Sequence, residues 1–232
     1  SIQTLERVYK HYYYIIRGDR GLMMILITGG SASGKSAFAE DKLLSFGDKK
    51  RYYLATMAVW DEECRERIRR HRIKRSGKGF STIEKPVDLK DVSLPGGSAA
   101  LLECVSNLTA NELFREERGE NGQESEKTRG AGREQKAEGL KEQEPVDLRE
   151  QKAWERITGG IFNLKEQAED LVVVTNEVFS DGISYDPGTE QYLRLLGKIN
   201  CWLANMADEV YEVSCGLPIC VKCAENSAQR AC

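Results

Sequence analysis

The chain has 232 residues, the length of one α/β domain with appendages rather than of two full domains. Hydrophobic residues make up 40% and charged residues 31%, and a net charge of −3 gives the whole molecule no pull toward nucleic acid or anionic membrane. No stretch approaches the roughly 18 uninterrupted apolar residues of a membrane span. The seven scattered cysteines are too odd in number for a disulfide framework, which favours a reducing cytoplasm.

Residues 1–22 mix aromatics with Lys and Arg and lack a long apolar run, so they do not read as a secretory signal. The chain starts at Ser1, and the functional domain is expected to begin at Met23 or Met24, leaving 1–22 as an extension. The run "MMILIT" (23–28) reads as a buried strand. It breaks into Gly29-Gly30-Ser31-Ala32-Ser33-Gly34-Lys35-Ser36, a full match to G-x-x-x-x-G-K-[ST]. Glycines let the backbone curl so that successive N–H groups point inward at an anion, with a helix N-terminus behind them. In such a loop Lys35 reaches the β- and γ-phosphates and the Ser36 hydroxyl ligates Mg²⁺. A helix is expected over 35–46, closed by Gly47.

A second strand, "YYLAT" (52–56), is followed by "DEECRERIRRHRIKR" (61–75), a helix with acids in its first turn and bases in its last, which suits the helix dipole. Seven Lys or Arg lie between Arg65 and Arg75 with one histidine, His71. A solvated basic face and a nucleic-acid patch are two readings of it, although no interleaved aromatics are present for stacking on bases. The third is a cationic wall facing a triphosphate. There the surrounding charge keeps the His71 imidazole neutral, and a neutral imidazole beside arginines can attack phosphorus.

The run "AALLE" (99–103) is a third buried strand, and Glu103 at its end is the best-placed magnesium partner. Glu177, ending the fourth run "LVVVTNE" (171–177), is second. Helices are expected at 106–117, 150–169 and 187–206. Between the first two, residues 115–150 hold ten glutamates and eight Lys or Arg with no aromatic, a low-complexity charged insertion that cannot bury enough apolar surface to offset its ordering entropy. The last run, "EVYEVSC" (209–215), is expected to run antiparallel because its link to the preceding helix is short. Cys220 and Cys223 form a C-x-x-C without a second pair, which reads as an apolar strand end rather than half of a zinc site. Residues 224–232 read as a tail. Strands alternating with helices imply right-handed crossovers.

The segments "MILITGGSASGKSAFAE", "YLATM", "DEECRERIRRHR", "LLECVSNLTANELF", "VVVTNEV" and "ADEVYEV" together resemble the bifunctional adenosylcobinamide kinase / adenosylcobinamide-phosphate guanylyltransferase family of cobalamin biosynthesis, over roughly 24–114 and 152–222. The resemblance implies an α/β fold of the P-loop NTPase-like, doubly wound kind, with a mostly parallel sheet, helices on both faces, and assembly as a homo-oligomer, a trimer. It implies phosphorylation of adenosylcobinamide by ATP or GTP with Mg²⁺. GMP transfer from GTP through a GMP–histidine intermediate at His71 then gives adenosylcobinamide-GDP and pyrophosphate.

Carried over by position, the nucleotide contacts are 29–36, then Ala55, Thr56 and Met57, then Arg72, Ile73, Lys74 and Arg75, then Glu84 and Glu103. Ser36 and Glu103 would hold the metal, and either glutamate could instead accept from the guanine edge. The chain departs from the family at Phe179-Ser180, where a tight glycine turn is usual, and at Leu193-Arg194, where an Arg–Asp pair is common. Contact with the corrinoid is expected in these segments. A P-loop kinase of another small molecule, without guanylyl transfer, and a nucleotide-dependent nucleic-acid-binding protein are the competing functions.

Overall fold

The computed structural model describes residues 22–58, 62, 65–66, 68–69, 73, 77–115, 146–179 and 182–223. The extension 1–21, most of the basic segment with His71, Arg72, Lys74 and Arg75, residues 116–145 of the charged insertion, Ser180 and the tail lie outside them.

Seven strands form one sheet: β1 Met23–Thr28, β2 Arg51–Ala55, β3 Phe80–Glu84, β4 Ala99–Glu103, β5 Asp170–Val174, β6 Glu209–Ser214 and β7 Leu217–Lys222. Their order is β3-β2-β4-β5-β1-β6-β7. The first six run parallel and only β7 is antiparallel to its neighbour. Among the described residues four α-helices are complete enough to bound: α1 Lys35–Leu44, α2 Val105–Leu113, α3 Val146–Gln167 and α4 Pro187–Met206.

The continuous apolar runs are explained by burial on both faces. Along β1, Met24 and Leu26 point to the face covered by α2, α3 and α4, whereas Ile25 and Ile27 point to the face under α1, where Ala39 and Leu43 meet them. Each of these four strand residues is at most 2% exposed. Helices therefore cover both faces, as a doubly wound sheet requires.

Two strands escape the hydropathy pattern. β3 is half exposed, and all six residues of β7 are exposed, including Leu217, Ile219 and Val221. Both are edge strands that exist through a neighbour's backbone hydrogen bonds rather than through an apolar run of their own. The last apolar run corrects the antiparallel expectation: β6 is parallel to β1, because α4 is itself the crossover and only two residues separate its end at Met206 from Glu209. The antiparallel partner is β7, reached through the Cys215-Gly216 turn. Cys220 and Cys223 are joined by a disulfide with Cα atoms 6.0 Å apart, which corrects the reading of them as incidental strand-end thiols.

Local signals set the helix ends. Asp186 caps α4, its carboxylate accepting from the N–H groups of Gly188 at 3.0 Å and Thr189 at 3.1 Å, with Pro187 as the first helical residue. α3 starts at Val146, inside the stretch read as charged insertion, and there the backbone oxygen of Val146 accepts from Gln191 of α4 at 3.0 Å.

The segment 85–94 is locked beneath α2 and α3 by a buried carboxylate. Glu112, 1% exposed, accepts from the Asp88 N–H at 2.7 Å and from Arg156 at 2.8 Å. Asp88 in turn accepts from Arg115 at 2.7 Å. α3 passes so close to this segment that a Cβ built on Gly160 would lie 2.5 Å from Leu89 Cβ.

Gly160→Ala is therefore expected to cost roughly 1–3 kcal/mol through overpacking, read as a lower urea midpoint at unchanged slope. The hydrogen bond from Arg115, aided by its charge, holds the Asp88 carboxyl below its ordinary value against the effect of burial. A depressed folded value stabilises the fold above the unfolded carboxyl value near 4, and that contribution disappears as pH falls through the folded value. Asp88→Asn should lower stability at pH 7 and flatten its decline below about pH 4, as urea titrations across that range will show.

Candidate nucleotide site at the carboxyl edge of the sheet

Because six strands are parallel, the loops after β1, β2, β4, β5 and β6 all emerge at one edge. The glycine-rich loop after β1 is at its centre. Gly29 has φ +155°, Ala32 +56° and Gly34 +95°, and Gly34 leads directly into α1. This curl turns backbone N–H groups inward at a helix N-terminus, the arrangement that receives phosphate.

The loop is walled on both sides. Glu177 N–H, after β5, donates to Gly29 O at 3.1 Å, and Gly216 N–H, in the β6–β7 turn, donates to Ser33 O at 2.8 Å. A Cβ on Gly29 would fall 2.5 Å from Val213 O, so only glycine fits.

Inside the loop, the Lys35 ammonium donates to Gly30 O at 2.9 Å. Burial pulls Lys35 below its ordinary pKa, while the nearby Glu103 carboxylate acts the other way. Among the described residues the buried Ser33 hydroxyl has no hydrogen-bond partner. Such an orphan is costly unless an oxygen-rich ligand meets it.

The Ser36 hydroxyl donates to one oxygen of Glu103, and Tyr53 OH donates to the other at 2.9 Å. A serine from the loop and a carboxylate from the end of β4 thus converge, although 67 residues separate them. They are hard oxygen donors of the kind that bind Mg²⁺ alongside phosphates and water. Glu177, the second candidate, instead turns a carboxylate oxygen to Phe179 N–H in its own loop at 3.1 Å. Among the described residues no set of three His, Cys, Asp or Glu side chains could hold a metal by itself.

Beside Glu103 opens a pocket of about 70 Å³, lined by Tyr53, Ala55, Met57, Ile68, Glu103, Cys104 and Asn107. Ala55 and Met57 therefore line the same opening as Ile68 of the basic segment. Thr56 between them is fully buried. Its hydroxyl donates to Cys104 O at 2.7 Å and accepts from Cys104 N–H at 2.8 Å, and its carbonyl accepts from Asn111 at 2.8 Å. Thr56 ties the end of β2 to the end of β4, which makes it a positioning residue rather than a side chain facing outward.

Glu84 ends β3, exposed, in register with Ala55. Ile73 is helical and 58% exposed. Burial pushes the Cys104 thiol up, which keeps it protonated at neutral pH and inert as a nucleophile. Tyr53, Asn107 and the β6–β7 turn went unread in the sequence. For Tyr53 a signal was present, since it precedes Ala55 by two strand positions and so shares its face.

A family model described as cobinamide kinase / cobinamide phosphate guanyltransferase matches residues 25–221. The bifunctional adenosylcobalamin biosynthesis protein of Escherichia coli is 29% identical over 206 residues, covering 86% of this chain and 100% of its own. Its counterpart in Salmonella typhimurium is 30% identical over 204 residues, with coverage of 86% and 100%. Among solved structures, the flagellar accessory protein FlaH of Methanocaldococcus jannaschii aligns over 88% of this chain and 80% of its own at 12% identity. Its TM-score of 0.36 is too low to bear on function.

Gly29→Ala is expected to lower nucleoside-triphosphate affinity at least roughly tenfold, because displacing Val213 O moves the loop that supplies the N–H groups. Titration calorimetry with GTP will measure it, and circular dichroism will check that the fold survives.

Proposed function

We propose the following reaction for this chain, which belongs to the cobinamide kinase / cobinamide phosphate guanyltransferase family: it phosphorylates adenosylcobinamide and then caps the phosphate with GMP through His71. The observation that carries the reading is the convergence of Ser36 and Glu103 beside the glycine loop and its unpartnered Ser33 hydroxyl.

In the first half-reaction the loop N–H groups and Lys35 hold the triphosphate and stabilise the charge that develops on the transferred phosphoryl group. Ser36 and Glu103 would hold Mg²⁺, which when bound neutralises phosphate charge. The aminopropanol hydroxyl of the corrinoid attacks the γ-phosphorus, its proton leaves, and the β–γ bridging oxygen departs with the nucleoside diphosphate.

In the second half-reaction the neutral His71 imidazole attacks the α-phosphorus of GTP. A nitrogen–phosphorus bond forms and the bond to pyrophosphate breaks. A phosphate oxygen of the phosphorylated corrinoid then attacks the same phosphorus and the imidazole leaves, giving adenosylcobinamide-GDP. The arginines of the basic segment, Arg72 and Arg75 among them, support both requirements, since positive charge favours the neutral imidazole and stabilises the phosphorane-like transition state. Lys74 adds to this charge, and Ala55, Met57, Ile73 and Glu84 belong to the nucleotide contacts in this reading. ATP and GTP serve as substrates, nucleic acid has no part, and the enzyme works as a homo-oligomer in the cytoplasm. No helix among the described residues is long and apolar enough to cross a membrane.

The test uses α-labelled GTP with Mg²⁺, followed by denaturing electrophoresis. Label should remain on the wild-type protein, be lost in His71→Ala, and show the acid lability and base stability of a phosphoramidate. An unlabelled protein that still binds GTP would leave a kinase without guanylyl transfer and sink the proposal.

A further inference from the structure

Tyr53 buries a polar atom that the packing of its ring does not call for. The residue is 3% exposed and belongs to the apolar cluster under α1, with Phe80 of β3 edge-on at 6.3 Å between ring centroids. A phenylalanine would fill that space equally well, and a buried hydroxyl is costly unless it finds a partner. One partner is Glu103: Tyr53 OH donates to one carboxylate oxygen at 2.9 Å, while Ser36 donates to the other. Register makes the meeting possible. Ala55 stands opposite Glu103 in the β2–β4 pairing, so Tyr53 lies two residues short of it, about 7 Å along the strand and within reach of a tyrosine hydroxyl.

Strand β2 and the residue after it also fix the backbone of Glu103. Thr56 N–H donates to Glu103 O at 3.0 Å, and the Thr56 hydroxyl clasps both backbone polar groups of Cys104. A glutamate at a strand end would otherwise turn about its side-chain bonds. With its backbone held by Thr56 and one oxygen held by Tyr53, the Glu103 carboxylate is kept on the Ser36 hydroxyl.

We propose that Tyr53 is a positioning residue for the metal: its hydroxyl holds the Glu103 carboxylate in the orientation that lets Glu103 and Ser36 take up Mg²⁺. The inference rests on the proposed function, which places Mg²⁺ at Ser36 and Glu103, and adds to it the residue that orients the carboxylate. Hydrogen-bond partners of a ligating carboxylate set its direction, and their loss typically lowers metal affinity roughly 10–100-fold.

The experiment is titration calorimetry of GTP on wild type, Tyr53→Phe, Phe80→Leu and Glu103→Gln, first with EDTA and then over a series of Mg²⁺ concentrations. Tyr53→Phe keeps the ring, so the fold should survive, and thermal unfolding without ligand checks each variant. It is expected to bind GTP with wild-type affinity in EDTA and to need roughly tenfold more Mg²⁺ for half of the gain in affinity. Phe80→Leu loosens the packing around the same ring without removing the hydroxyl, and it should keep the wild-type Mg²⁺ requirement. An unchanged requirement in Tyr53→Phe, or an equal rise in Phe80→Leu, would overturn the positioning role. So would a loss of GTP affinity that is the same with and without Mg²⁺, which would put Glu103 on the nucleotide itself. If Glu103→Gln keeps the wild-type Mg²⁺ dependence, the metal placement fails and the role of Tyr53 with it, whereas GMP labelling through His71 stands or falls on its own assay.

Discussion

A loop that offers its backbone N–H groups to an anion has to give up side chains, and the rest of this site depends on that constraint. At Gly29 the carbonyl of Val213 lies where a Cβ would stand, and Gly34 approaches Gly216 so closely that a Cβ would be 3.1 Å from its Cα. The strands on either side of β1 press against the loop, and the bonds from Glu177 and Gly216 hold it from left and right. These contacts hold the loop as a concavity. Rigidity matters here, since a preorganised nest spends no free energy on reorganising when charge develops on the phosphate.

The parallel sheet makes this arrangement possible. Parallel strands with helical crossovers all end at the same edge, so Ser36, Tyr53, Glu103 and Gly216 meet there although the chain visits them at long intervals. Thr56 stitches the ends of β2 and β4, its hydroxyl serving both polar groups of Cys104. This clasp sets the direction in which Glu103 leaves its strand. The neighbouring thiol is kept protonated by burial, so the functional charge at this strand end belongs to the carboxylate alone.

Away from that edge the polar groups serve the scaffold. Glu112 gathers Arg156 and the Asp88 backbone beneath α2, and Glu150 of α3 meets Lys198 of α4 at 2.5 Å. Buried carboxylates of this kind persist only when paired. Each ties together two helices of the three that cover one face of the sheet. On the opposite face α1 is the described helix that packs against the strands, and its N-terminus begins at the glycine loop.

Five strands, the four bounded helices, the glycine loop and the place of Glu103 at a strand end were legible because each carries its cause locally: two-faced burial makes a continuous apolar run, and an anion nest demands glycine at fixed intervals. The edge strands β3 and β7 were not legible, since FSTIE and LPICVK bury little and owe their conformation to a neighbour's backbone. Nor was the direction of β6, which the length and packing of α4 decide, or the pairing of Cys220 with Cys223. At the site the sequence by itself offered candidate residues for phosphate and metal. Only the tertiary structure decided which carboxylate meets Ser36 and that Thr56 faces inward. The reason is physical: a residue's chemistry is local, but its direction is set by contacts with chain that lies far away in sequence.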